Sequence, residues 1–294
     1  MTGSAAASQE IRDTARPVDF RRPLAAAAVY FVLMSVVAFI LFPIFWMVSS
    51  SFKPQTELFA RDITMLPVEW TLESYRSVWQ GTAFPTYFWN SFKVAALSTL
   101  CSVVISMYAA YAIARIRFAG RYAFGMLLLI TQMLPHILLV IPLFLVMQRL
   151  KLLNTHTALI LAYTAVSLPF TVWLLRGFFE AIPEELEDAA AIDGASLLTI
   201  FHRIILPLAG PGLAAVAMFS FIRAWNEFLF ALVFLQSRVF FTLPIGLASF
   251  QEEFTFRWDL IMAGASIITV PVLFFFLLMQ RFIVQGLLGG AVKG

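Results

Sequence analysis

Charge and sulfur are what this sequence has least of. Only 13% of its 294 residues are charged, while 61% are hydrophobic; an ordinary soluble domain carries roughly 25% charged residues. So thin a charged surface excludes a water-soluble globule of this size, and the mean hydropathy of +0.87 agrees. The single cysteine, Cys101, excludes an intrachain disulfide and a four-thiolate metal site. It sits in an apolar run and reads as a small packing residue. The motifs of several enzyme classes are also missing. There is no H-E-x-x-H, no G-x-S-x-G and no G-x-x-x-x-G-K-[ST]. Zinc hydrolysis, an acyl-transfer elbow and ATP hydrolysis on this chain therefore have no support, and no metal is expected. The net charge of +3 would suggest nucleic acid in a soluble protein. Here a modest Lys and Arg excess reads as membrane topology instead.

Long charge-free runs take the place of the missing charge. Arg22 to Lys53 encloses 30 residues, Lys93 to Arg115 21, Arg121 to Arg149 27, Lys151 to Arg176 24, and Asp259 to Arg281 21. Arg203 to Arg238 encloses 34, interrupted only by Arg223 and Glu227. A spanning helix needs about 20 mostly apolar residues in lipid as solvent. Six spans are therefore predicted, near 24–50, 91–114, 122–148, 155–176, 208–235 and 259–281. The expected fold is an all-α membrane protein with six transmembrane helices. Its parts are a tail at 1–22, a membrane domain at 23–282 and a second tail at 283–294. The first tail is polar, with Arg12, Arg16, Arg21 and Arg22, and the run after it is too long for a signal peptide. Those arginines and the short loop Arg115–Arg121 place both termini on the cytoplasmic side. Pro43, Pro135, Pro142, Pro169 and Pro271 lie inside spans, where kinks are tolerated. Between spans 1 and 2, Trp70, Tyr75, Trp79, Tyr87 and Trp89 suggest headgroup depth, with one interfacial helix near 71–80 or a surface for a docking partner.

Residues 177–207 are the most informative segment. Six acids, Glu180, Glu184, Glu185, Glu187, Asp188 and Asp193, make it too polar to span. Pro183 with the acids behind it opens a helix. Leu186, Ala189 and Ala190 share one face of that helix, and Gly194 permits a turn at positive φ. A second helix from about Ser196 carries the stripe Leu197, Ile200, Phe201 and Ile204. By periodicity alone this is either an amphipathic connector or a docking surface, made of small residues that let another protein approach closely.

That segment resembles the coupling loop of ABC importer permeases, E-A-A-x-x-x-G followed by I-x-L-P. Asp188, Ala189, Ala190 and Gly194 match the first part, with Asp188 where the family usually has Glu. Ile204, Leu206 and Pro207 match the second at the right spacing. Trp225-Asn226-Glu227-Phe228 is similar to the sugar-importer branch, and residues 280–294 resemble the tail of the maltose-type second permease subunit. The resemblance implies a cytoplasmic helix–turn–helix between spans 4 and 5, seated in an ATPase groove. It implies ATPase contacts from the tail residues Gln285, Gly286 and Lys293. The implied partners are a second permease, two ATPase subunits that use the ATP, an extracytoplasmic sugar-binding protein and membrane lipid. No cofactor is expected on this chain, and no nucleic acid. The implied location is the bacterial cytoplasmic membrane.

Polar groups inside the spans are few. Arg223 and Glu227 are four apart in span 5 and can face each other, with Asn226 beside them. Gln132 and His136 are four apart in span 3. Each set reads either as part of a translocation path or as a bond holding helices in register. His156 and His202 read as surface residues. A membrane-embedded transferase and an ion-coupled transporter are the competing readings, and neither explains the 177–207 loop.

Overall fold

Every regular element is a helix in a computed structural model of the chain, which describes residues 21–253 and 257–291. Helix α1 spans Arg21–Ser51. After a short turn of helix at Gln55–Leu58 comes α2, Glu73–Gly81. Then follow α3 (Phe84–Arg115), α4 (Arg121–Met133), α5 (Ile137–Arg149) and α6 (His156–Glu180). The polar loop forms α7 (Glu185–Ile192) and α8 (Leu197–Ile200). The chain ends with α9 (Gly210–Trp225), α10 (Leu229–Phe234), α11 (Leu243–Glu253) and α12 (Trp258–Ala291). Among the described residues, four helices are long and apolar enough to cross a membrane, and up to six crossings result if each of two bent pairs, Arg121–Met133 with His136–Arg149 and Leu197–Leu208 with Gly210–Trp225, is one span. The tail residues Gln285 and Gly286 lie in α12, which runs through 282 without a break. Lys293 lies outside the described residues.

The third apolar run is not one straight helix. Helices α4 and α5 meet at 102°. Proline lacks an N–H and disfavours helical backbone in the residue before it. Leu134, just before Pro135, is accordingly extended, at φ −76° and ψ 126°. Pro43, Pro142, Pro169 and Pro271 sit inside continuous helices.

Helix α3 is the central post. It packs along α6 and α9, and α12 closes against α9 and α1. The α3–α6 contact is lined by small polar residues. Ser102 and Ser167 share a hydrogen bond of 2.7 Å, and Ser106 and Thr171 bond back to their own helices. Hydroxyls satisfied this way let two membrane helices approach closely. Helix α1 leaves its apolar length outward, with Phe31 and Phe39 73% and 81% exposed. Such a surface suits lipid or another subunit rather than water. Cys101 is exposed too, so it does not pack within this chain.

The segment before α3 holds the predicted interfacial helix, as α2. Trp70, Trp79 and Trp89 are exposed, but Tyr87 is buried and Tyr75 bonds Ser51 at 2.7 Å. Two of the five aromatics are therefore packing residues. The segment is organised by a buried lysine. Lys53 donates to Thr64, lies 3.7 Å from Glu57 and sits 5.0 Å from the Trp46 ring.

Candidate functional site

Two features stand out, a clamped helix–turn–helix and a polar cavity among the spans. The helix–turn–helix closes as the sequence predicts. Gly194 takes φ +81°. Its N–H donates to the Ala191 carbonyl and the Ala195 N–H to the Ala190 carbonyl, both at 3.0 Å. This pair of bonds satisfies the last carbonyls of α7 and turns the chain sharply. The Ser196 hydroxyl then caps α8 by accepting from the Thr199 N–H.

The apolar stripe of the second helix differs from the predicted one. Ile200, Phe201 and Ile205 are buried, while Leu197 is 51% exposed and Ile204 is half-buried. Residues Phe201–Ile205 form a π turn, with the Leu206 N–H reaching back five residues to Phe201. Pro207 has no N–H to offer and crowds the carbonyl four back. The wider turn brings Ile205, not Ile204, onto the face of Ile200. On the open side, Ala189 and Asp188 are exposed together with Ile192 and Leu198.

One arginine ties this loop to the spans. Arg115, the last residue of α3, donates from Nε to Glu187 of α7 and from Nη2 to the Ile182 carbonyl, with Glu184 at 3.4 Å. Tyr111 donates to the other Glu187 oxygen at 2.7 Å. The Arg115 and Glu187 side chains are 8% and 13% exposed. Beneath them the Phe201 ring lies 4.7 Å from Tyr111 and 6.1 Å from Phe179. The sequence reading missed this clamp, whose only signals were an arginine closing span 2 and an acid one residue before Asp188. A lysine cannot reproduce a planar fork that makes several contacts at once. Arg115→Lys is therefore expected to destabilise the protein by about 2 kcal/mol, read as a lower thermal midpoint in detergent. An unchanged midpoint would show that the clamp carries no load.

The polar cavity holds about 70 Å³. Helices α3, α6, α9 and α10, the break before α10 and the α4–α5 bend supply its wall, which includes Ser98, Ser102, His136, Tyr163, Ser220, Arg223 and Glu227. Here the i, i+4 expectations are corrected. Helix α9 ends at Trp225, so Arg223 and Glu227 do not share a helix face. Arg223 donates to His136 Nε2 at 2.9 Å. Glu227 accepts from Tyr163 at 2.7 Å and from the N–H groups of Phe230 and Ala231 at 2.9 and 3.2 Å. It thus caps α10 across the break in span 5. The bend at Pro135 separates Gln132 from His136, and Gln132 does not line the cavity. Asn226 is exposed and bonds back to Ile222. Ser98 and Ser102, four apart on α3, escaped the sequence reading although their spacing marks one helix face. His156 bonds the Phe240 carbonyl, and His202 lies at the loop surface beside Tyr108.

Comparisons with known proteins agree with one another. The pattern of the binding-protein-dependent transport system inner membrane component matches residues 102–289. The chain is 41% identical over 271 residues to the trehalose/maltose transport system permease protein of Thermococcus litoralis, covering 90% of this chain and 94% of that one. It is 38% identical over 262 residues to the diacetylchitobiose uptake system permease protein of Streptomyces coelicolor, covering 88% and 95%. Among solved structures, a bacterial ABC transporter that imports the acidic polysaccharide alginate superposes with a TM-score of 0.76 at 25% identity, covering 91% and 99%. With its spans, its bent pairs and its clamped loop in this arrangement, the chain belongs to the family of inner membrane permease components of binding-protein-dependent ABC transport systems.

Proposed function

We propose that this chain is one of two permease subunits of an ATP-driven importer that takes carbohydrate from an extracytoplasmic binding protein. The observation that carries this reading is the helix–turn–helix of α7 and α8. One face of it is exposed, and Arg115 bonds it to the end of α3. An exposed apolar face of Leu186, Ile192, Leu197 and Leu198 needs a cover in water, and an ATPase groove supplies one. Nucleotide binding on two separate ATPase subunits moves α7. Arg115, Tyr111 and the Phe201 cluster pass that motion to α3 and α6. The two bent pairs supply joints at which the spans change angle, and the path opens alternately to each side. On this reading both termini are cytoplasmic, and Gln285, Gly286 and Lys293 lie toward the ATPases.

The relatives carry neutral oligosaccharides in two cases and an acidic polymer in the third, so carbohydrate is the substrate class and its charge is a separate question. The test is uptake into vesicles by the purified complex, energised by ATP, by a proton gradient, or by neither. Uptake is expected only with ATP and with binding protein present. Uptake driven by a proton gradient alone would overturn the reading in favour of an ion-coupled transporter.

A further inference from the structure

The cavity wall has more hydrogen-bonding capacity than the chain uses. Ser102 and Ser167 bond each other, Ser98 bonds the Ala95 carbonyl, and Glu227 has three donors. The unused capacity is concentrated on one face of α9. Ser220 is 4% exposed and its Oγ has no partner. Arg223 has five N–H donors, of which one is placed among the described residues, on His136. Three residues apart on a helix, these two side chains are neighbours. A buried hydroxyl without a partner is unfavourable, and sites built for a ligand hold such groups in reserve.

Charge and size narrow the ligand. Arg223 and Glu227 line the same cavity, one charge of each sign. His136 accepts at Nε2 and is therefore neutral. The wall is charge-balanced, and an added carboxylate would meet Glu227 with no surplus cation. A space of 70 Å³ holds about two waters and falls far below the roughly 300 Å³ of a whole-ligand pocket. The enclosed space suits one arm of a sugar.

Resting on the importer reading above, we infer that Ser220 and Arg223 form a subsite for a single hydroxyl-bearing arm of a neutral carbohydrate. Ser220 holds the arm, and the opposed charges of Arg223 and Glu227 in the same wall set the preference for neutral over acidic sugars.

The test uses the complete importer in proteoliposomes with saturating, sugar-loaded binding protein. The probes are neutral disaccharides and the same disaccharides oxidised at C6 to uronates. Neutral members are expected to be carried. Ser220→Ala should lower sugar moved per ATP about fivefold, and Ser220→Thr should restore it. The thermal midpoint of Ser220→Ala without sugar should hold or rise, because alanine removes an unsatisfied hydroxyl. Carriage of uronates as readily as of the neutral sugars, an unchanged sugar-to-ATP ratio in Ser220→Ala, or a lowered midpoint would each overturn the inference. The second result would mean a hydrated cavity only, and the third a structural hydroxyl. If ATP drives uptake of no panel member even in the wild type, the importer reading fails instead.

Discussion

Gly194→Val is expected to abolish ATP-driven uptake while leaving the protein inserted in the membrane at its normal level. An added Cβ at Gly194 meets nothing within 4 Å, so the effect is not a clash. It comes from the backbone, since φ is +81° there. Left-handed backbone costs an L-residue roughly 1–2 kcal/mol and suits a β-branched residue worst. That strain alone would slow transport only modestly. Helix α7, however, buries none of its side chains fully, so little packing holds the turn shut against it. The chain relieves the strain by reopening the turn. The bonds from Gly194 and Ala195 to the end of α7 are then lost, and α8 leaves at another angle. On the proposed mechanism, that angle aligns the exposed loop face with the ATPase. Asparagine visits the left-handed region readily, so Gly194→Asn should retain most of the uptake, with Gly194→Ala in between. Wild-type uptake in Gly194→Val would sink the account of the loop. Loss of the protein from the membrane would show that the turn serves folding rather than coupling.

How far the sequence revealed this arrangement depended on whether the cause was local. The turn at Gly194 was legible because glycine's freedom, the cap at Ser196 and the acids at the start of α7 all act within a few residues. The apolar run lengths marked the membrane segments for the same reason, since lipid acts on each run separately. The bend at Pro135 was not legible. The five in-span prolines singled out from the sequence each lack an N–H, yet one of them divides its span. What distinguishes that bend is tertiary: His136 beside it meets Arg223 from a helix 87 residues away. The π turn was hidden similarly, because a stripe drawn at 3.6 residues per turn favours Ile204, whereas Pro207 widens the turn and buries Ile205. The cavity was half legible. Arg223 and Glu227 announce themselves as charges in an apolar run, but the helix break between them does not, and nothing marks Tyr163 among the aromatics of its span.

The break also decides what Glu227 is for, and it yields the other large effect. As the partner of an i, i+4 ion pair, Glu227 would matter for its charge, and Gln and Ala would be about equally harmful. As a cap it matters for its acceptor oxygens. It takes the Tyr163 hydroxyl and two N–H groups of α10, and away from water each donor left empty is unfavourable by several kcal/mol. Glu227→Ala empties all three and removes the charge that offsets Arg223. The protein is expected to fail to accumulate in the membrane. Glu227→Gln keeps one acceptor oxygen for the start of α10 and should insert at a substantial fraction of the wild-type level, with slower uptake because Arg223 stands uncompensated. Arg223→Gln in the Glu227→Gln background should then recover insertion toward the wild-type level, since it removes the stranded cation, without recovering transport if Arg223 belongs to the sugar path. Membrane yields measured by immunoblot, with uptake measured beside them, separate these cases. Equal yields for Glu227→Ala and Glu227→Gln would return Glu227 to a simple ion pair. A large gap between them would establish that span 5 is held together across its break by this carboxylate, which is the condition for the break to work as a joint.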